Sequence, residues 1–425
     1  MSPSLKILIS GGGIAGGCLA FWLAKLGHDV TVVEWFPTLR ATGLQIDLRG
    51  HGIEVLKRMG LEEGFRAKSV PEQGLQFVDS SGRIRGHFPT NHSGSGVQDF
   101  TSEYEIMRGD LCRLFHDATK GRAKYIFGTS VENFDQKNGG VDVTFKDGTT
   151  DHFDLLVGAD GQGSRTRKLM FKSRASDGFY PLRGIHASYF TIPRPIQKGE
   201  GYYSTAYFAT KSRVVMIRRH NPEAIQAYTL FTSHDEEFQN ARRSNGKEAK
   251  DVVAKAFRGA GWQVNDLLDS MSEAKDFYCE RIGLVKIDHW SEGHVALVGD
   301  AAYGPSSMTG MGTTSAVVGA YILAGEIGKH CGSANGQDGI ETALHEYEKK
   351  MRPFMDQVQE GITDDALVYR VWPTGPIGIA ILYWIIGIVS FFHMNLGKWA
   401  LKESAVKWDL PDYKELSLDE SSPQV

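Results

Sequence analysis

The feature that most constrains this chain is a cluster of glycines near its start. Ile7-Leu8-Ile9 is a short apolar run, and Gly11-Gly12-Gly13-Ile14-Ala15-Gly16 follows it at once. Leu19, Leu23 and Leu26 then recur at helical spacing until Gly27, and Val30-Thr31-Val32-Val33 reads as a second buried strand. Strand, glycine turn, helix and strand form a βαβ unit, which requires a parallel sheet. The glycines fit G-x-G-x-x-G, with Gly11, Gly13 and Gly16 at the three glycine positions. Such glycines permit a tight turn and a close backbone approach to a pyrophosphate, whose charge meets the helix N-terminus. Glu34, at the end of the second strand, is placed to accept hydrogen bonds from a ribose diol. The bland alternative is a glycine turn with no ligand, and the position of Glu34 argues against it.

Two later segments repeat the theme. Asp154-Leu155-Leu156-Val157-Gly158-Ala159-Asp160-Gly161 precedes Ser164 and Arg167. Gly293-His294-Val295-Ala296-Leu297-Val298-Gly299-Asp300-Ala301-Ala302 precedes Pro305, Gly310 and Gly312. Each is a buried strand ending in Asp beside Gly. A carboxylate there can hold a sugar hydroxyl, while glycine leaves room for a cofactor. Either alone would be an ordinary strand end; three in this order are specific.

Between these segments the periodicity changes. Residues 53–60 and 109–118 read as helices. Val141–Phe145 alternates, Asp147-Gly148 turns, and Phe153–Val157 reads as one buried strand. Residues 180–233 are rich in Tyr, Phe, Val, Ile and Thr, as antiparallel strands of a second lobe would be. Residues 235–270 read as polar and helical, 312–328 as a strong helix and 340–370 as a charged helix. The length of 425 residues agrees with two lobes. Apolar residues at 41% and charged residues at 23% exclude wholesale disorder. With 47 basic against 51 acidic residues, nothing suggests a nucleic-acid partner. The four cysteines have no CxxC spacing and the 14 histidines no HxxxH pair, so neither a disulfide framework nor a metal site is expected. No signal-peptide pattern precedes the first strand.

With these motifs in this order, the sequence resembles the class A flavoprotein monooxygenases over about residues 5–360. This is the group of p-hydroxybenzoate hydroxylase, salicylate hydroxylase and the tetracycline-inactivating monooxygenases. The resemblance implies an α/β fold, α+β overall. A Rossmann-like FAD-binding domain is made of 1–75, 100–175 and 280–360. An inserted antiparallel substrate sheet is made of 76–99 and 176–279. A hydrophobic C-terminal helix region (361–408) and an acidic tail from Asp409 (409–425), expected to be loosely ordered, complete the chain.

It also implies roles. Gly11, Gly13, Ala15, Gly16 and Glu34 would bind the ADP part of FAD. Arg40, Gly43 and Gln45 lie in or beside the segment passing the flavin. Arg108 matches the family's R-x-x-L arginine. Asp160 and Gly161 would serve FAD and a visiting NADPH or NADH, and Asp300 the ribityl chain. Gly310, Gly312 and Thr313 would open a helix aimed at the flavin pyrimidine. Tyr347 to Phe354 matches the helix that follows the third motif. The chain departs from the family at Tyr303, usually His, at Thr313 and Thr314, usually containing Asn, and at Gly319, often Asp. By the same resemblance NAD(P)H reduces FAD, and O2 adds to it as a C4a-hydroperoxide that passes one oxygen to a hydrophobic small molecule.

Arg183, His186, Tyr189 and Tyr207 fall on second-lobe strands expected to face the flavin, with Arg183 and His186 the catalytic candidates. Each could instead be ordinary sheet packing, as could Arg49. The aromatics of 179–231 suit a polycyclic or prenylated substrate. A flavin dehydrogenase or reductase on the same fold, or a non-catalytic flavin binder, are the rival readings; a halogenase is disfavoured because W-x-W-x-I-P is absent. Finally, residues 371–397 contain no Lys, Arg, Asp or Glu. Counted from Ile377 to Leu396, the segment is about long enough to cross a bilayer, about 20 residues. A helix buried against the body is the alternative to membrane contact through 371–397 of an otherwise cytoplasmic-facing protein.

Overall fold

The computed structural model describes residues 4–40, 43–90, 103–137, 139–172, 176–234, 246–332, 336–363, 373–392 and 407–417. The first glycine turn joins β1 (Lys6–Ser10) to α1 (Ile14–Lys25), which returns to β2 (Asp29–Glu34). Both strands are buried on both faces, as central parallel strands must be. They lie side by side in a parallel sheet ordered Val295–Leu297, Leu155–Gly158, β1, β2, Lys124–Phe127. A two-residue antiparallel strand, Ser291–Glu292, closes one edge. Side chains of α1 and of the helix Gly312–His330 join those of β1 in the main apolar core. The other face carries an antiparallel sheet of Val131–Lys137, Gly140–Phe145 and Thr150–Phe153, whose Val141, Val143 and Phe153 meet Leu8, Val33 and Leu156.

The apolar run read as one strand over Phe153–Val157 is two. Phe153 ends the antiparallel hairpin and Leu155 begins the parallel strand. Asp154 breaks them because its carboxylate accepts the Lys6 N–H at 2.7 Å.

The second lobe is a seven-stranded sheet ordered Tyr278–Val285, Phe179–Pro193, Ala224–Thr232, Arg213–Arg219, Tyr203–Ala209, Gly74–Val78, Ile84–Pro89. Every pair is antiparallel except Tyr203–Ala209 with Gly74–Val78. The helices Lys247–Phe257 and Val264–Glu273 cover one face through Val253, Phe257, Leu267 and Met271. The other face meets the first lobe: Leu44 packs there against a cluster of Leu182, Ala187, Tyr189, Tyr228, Ile282 and Leu284.

The charged helix expected over 340–370 runs Ile340–Gln359, and residues 364–372 lie outside the described ones. The uncharged segment contains the helix Pro376–Phe391, which packs through Ile379, Tyr383 and Ile386 on Leu75, Phe77 and Ala206. Among the described residues no helix is long and apolar enough to cross a membrane. The tail is not loose over 409–417. Trp408 lies on Phe354 with ring centroids 5.1 Å apart, and Tyr413 donates to the buried Glu326 at 2.6 Å. A few apolar anchors hold this acidic stretch despite its charge.

Candidate active site

The ends of three parallel strands bring the three glycine motifs together. A Cβ on Gly11 would come within 2.5 Å of the Ala159 carbonyl oxygen, so the first motif leans on the second. A Cβ on Gly16 would sit 1.9 Å from the Gly11 carbonyl oxygen, which sets how tightly α1 enters the turn. Gly299, at φ 66°, would press a Cβ to 2.8 Å from Ala15 Cβ, so the third motif reaches the first. Only glycine permits these approaches.

Around this floor stand charged groups. Glu34 accepts the N–H of Gly12 at 2.9 Å and of Phe36 at 3.0 Å, with a lone pair to spare on each oxygen. The Arg108 N–H donates to Leu44 O at 2.8 Å. Its side chain passes Gly43 and reaches Gly13, where added Cβ atoms would meet it at 3.0 and 3.2 Å. Arg108 Nη1 and Arg40 Nε are buried without a hydrogen-bond partner among the described residues. Arg40 lies over the rings of Phe36 and Tyr278, 4.8 and 5.1 Å from their centroids. Burial, and then Arg108, lower its pKa. Two such guanidiniums with spare donors call for an anion. Asp300 is exposed to solvent, yet the protein around it raises its carboxyl pKa by desolvation, with Arg108 and Arg167 opposing. Gly310 takes φ 65°, and Gly312 and the half-buried Thr313 open the helix Gly312–His330. The chemistry of this set fits FAD: the glycine backbone and the two guanidiniums would face the pyrophosphate, Glu34 a ribose and Asp300 the ribityl chain.

Asp160 is engaged by its own chain. Its carboxylate accepts Ser164 Oγ at 2.5 Å, Arg165 N at 2.9 Å, and Thr166 N and Oγ1 at 3.0 Å, capping the helix Arg165–Met170. Gly161 follows at φ 78°. The buried Arg167 then ties the second motif to the third, donating to Gln162 O at 2.7 Å and Ala301 O at 3.0 Å. The departures also have physical reasons. A Cβ on Gly319 would lie 1.7 Å from Tyr303 Oη, so the tyrosine fills the space a side chain at 319 would need. Thr314 Oγ1 accepts the Arg49 N–H at 2.9 Å and lies 3.2 Å from Arg49 O, holding the buried Arg49, which pairs with Asp47.

The opposite wall is a row of side chains. Tyr278, Tyr189, Tyr228 and Met216 lie at paired positions across four strands. Tyr189 meets Tyr228 edge-on, with centroids 5.4 Å apart, and stacks on Tyr278 at 6.4 Å. Its hydroxyl donates to Glu280 at 2.9 Å. Burial raises the Glu280 pKa; the Tyr189 hydrogen bond opposes this, Asp300 adds to it, and Arg40 and Arg108 oppose it. Glu280 is thus within electrostatic reach of Asp300, Arg40 and Arg108. Beside it, Gln226 clasps the flavin-passing segment: Nε2 donates to Gly43 O at 2.8 Å, and Oε1 accepts Gln45 N at 3.0 Å and Tyr228 Oη at 2.8 Å. Gln45 Nε2 donates to Glu72 at 2.8 Å and Glu105 at 2.6 Å, and Arg218 pairs with both carboxylates. Burial is the main reason the Glu105 pKa rises to about 7. Arg218 opposes it, but Glu72 and Asp47 add to it, so one guanidinium does not offset the buried acids.

Of the four second-lobe candidates, Tyr189 alone is turned to this cleft. His186 is buried on the helix-covered face against Phe231, with centroids 5.8 Å apart. Tyr207 also faces the helices and donates to Ala260 O at 2.7 Å. Arg183 sits exposed at φ 46° in a bulge between Pro181 and His186, where the strand breaks register. Sequence reasoning missed Glu72, Glu105, Arg218, Gln226, Tyr228 and Glu280. Arg218, Gln226, Tyr228 and Glu280 carry one local signal, a polar group within a largely apolar strand, whereas Glu72 precedes its strand and Glu105 opens one.

The "FAD binding domain" family model matches residues 4–361. The chain is 49% identical to the FAD-dependent monooxygenase asL4 of Sarocladium schorii, over 97% of this chain and 99% of that one. It is 38% identical to the flavin-dependent monooxygenase eupH of a Phoma species, over 96% and 98%. The crystal structure of the tetracycline destructase Tet(51) superposes with a TM-score of 0.75 at 28% identity, covering 97% and 100%. The chain belongs to the FAD-binding-domain family and is a class A FAD-dependent monooxygenase.

Proposed function

We propose that this monooxygenase hydroxylates or epoxidises a hydrophobic, aromatic or polyketide-like small molecule, with O2 as co-substrate and NADPH or NADH as transient reductant. The supporting observation is the aromatic row Tyr278–Tyr189–Tyr228, continued by Met216, beside the segment Gly43–Gln45 and the FAD cradle. Bound FAD supplies the redox chemistry that delivers one oxygen atom. The protein binds, orients and excludes water. In this reading the parallel-sheet lobe holds the cofactor and the seven-stranded sheet the substrate. Because Tyr189 donates its proton to Glu280, its lone pairs are free to accept a substrate hydroxyl. The tetracycline destructases, by their name, act on tetracycline, which supports a polycyclic substrate here.

The test is a screen of polycyclic and prenylated phenols for those that accelerate NAD(P)H oxidation, followed by turnover under 18O2. One 18O atom per product molecule is expected. Substrate-dependent NAD(P)H oxidation that leaves no label in the product would instead assign a dehydrogenase or reductase.

A further inference from the structure

We propose that the outer face of the helix Pro376–Phe391 docks on an anionic lipid surface, lying flat in the membrane interface. Of the eleven large apolar side chains left exposed among the described residues, seven gather here: Ile377, Ile381, Trp384, Ile385, Ile388, Phe391 and the adjoining Phe392. Their spacing of four, three, one, three, three and one draws a single stripe along the helix. Trp384 is 69% exposed and Phe391 77%. The helix carries no charged residue.

The opposite stripe is pinned. Tyr383 Oη donates to Val78 O at 2.6 Å and accepts Phe208 N at 2.9 Å. Ser390 Oγ accepts His87 N and donates to His87 O, both at 2.9 Å. Gly86 permits this closeness, since a Cβ there would meet Ile386 Cγ2 at 2.5 Å. Held along the sheet, a helix of 16 residues, about 24 Å long, cannot turn to span a bilayer. It can only offer its outer stripe.

Two observations favour lipid over a protein partner. A protein interface carries roughly one hydrogen bond per 100–200 Å2, whereas the stripe's side chains offer only the Trp384 indole N–H. The rim is also positive. Arg83 and Arg85 stand beside the helix with side chains 74% and 43% exposed, while their partner Asp79 is tucked beneath at 13%. Aromatic and aliphatic groups at the acyl boundary, with cations at headgroup level, make a face that anionic lipid complements. A groove of about 940 Å3 between the helix and the turn at 79–85 continues this apolar surface.

The proposal is independent of the substrate reading. Its test uses the full-length FAD-loaded protein, sedimented with vesicles of phosphatidylcholine alone or with about a third phosphatidylserine. The protein should pellet with the anionic vesicles and weakly with the neutral ones. The double substitution Trp384→Glu, Phe391→Glu should keep FAD content, melting temperature and basal NAD(P)H oxidation, and lose at least about tenfold in partitioning. Arg83→Ala should lose up to about fivefold on anionic vesicles and nothing on neutral ones. Absence of vesicle binding, or binding unchanged in the double variant, overturns the proposal. So does a dimer that the double variant dissociates without lipid, which would assign the face to a second copy. Trp384 fluorescence that ignores vesicles but shifts on deletion of 393–406 would give the face to the chain's own segment, with the same consequence.

Discussion

On the parallel-sheet side of the cleft, the surface offered to a ligand is mostly glycine backbone at strand ends. On the seven-stranded side it is side chains from the middles of strands. Gly11, Gly16 and Gly299 are fixed by atoms 1.9–2.8 Å from where a Cβ would be. Tyr189 is fixed by ring contacts within its own sheet, and Gln226 and Arg218 by a hydrogen bond and an ion pair to Gln45 and Glu105 of the other lobe. At these three glycines the first wall leaves no room for an added atom. The second tolerates changed atoms but not changed charge balance. The two should therefore fail in different ways.

The largest effect is expected at the side-chain wall. Arg218→Met would leave Glu72 and Glu105 buried without their cation. Removing one partner of a buried ion pair costs about 3–5 kcal/mol, and the variant should unfold at correspondingly lower denaturant. Unchanged stability would mean that the lobes are not clasped there. On the backbone wall, Gly16→Ala should instead act on the cofactor. The Gly11 carbonyl must move, and FAD affinity should fall at least about a hundredfold, or about 3 kcal/mol, read from the flavin absorbance of purified protein and by FAD titration. Retained yellow protein would show that the turn can relax, and would blur the contrast between the walls.

A pH experiment probes the clasp more gently. Glu105 titrates near 7 in the fold, above its ordinary value of 4.5. Below pH 4.5 it is protonated in both states. As pH rises from 4.5 to 7 the unfolded chain releases this proton first, so the group's contribution to stability drains away and is gone above pH 7. Glu105→Gln removes that titration. Its stability relative to the parent should rise between pH 5 and pH 8 by roughly 1–3 kcal/mol, measured by urea unfolding at both values. A constant difference would mean that Arg218 keeps Glu105 ionised throughout.

The same contrast explains what was legible in the sequence. A glycine requirement is local, so Gly11–Gly16, Glu34, Arg108 and Gly299-Asp300 could be read as motifs, and the structure gathers them. The second wall depends on which face a side chain takes and what it pairs with. Strict alternation puts His186 and Tyr189 on opposite faces, and the bulge at Arg183 hides where the alternation starts. Gln226 meets Gly43 and Gln45 from more than 180 residues away, a distance over which no pattern speaks. The acidic tail misled for a related reason: its charge is visible locally, whereas the cavities that receive Trp408 and Tyr413 belong to other elements.

The smallest effect is expected where the two walls meet. Glu280 belongs to the second wall by its strand and its bond to Tyr189, yet Arg40, Arg108 and Asp300 of the first all act on it. Glu280→Gln keeps an acceptor for the Tyr189 hydroxyl and removes the charge. If Glu280 serves the substrate through Tyr189, kcat/KM should fall about tenfold, or about 1.4 kcal/mol, with FAD affinity within about threefold of the parent. Tyr189→Phe should cost about the same, and the double variant little more, because each substitution breaks the same pair. If FAD affinity falls in step with kcat/KM, Glu280 answers to the cofactor's guanidiniums instead, and the boundary between the two walls shifts by one strand.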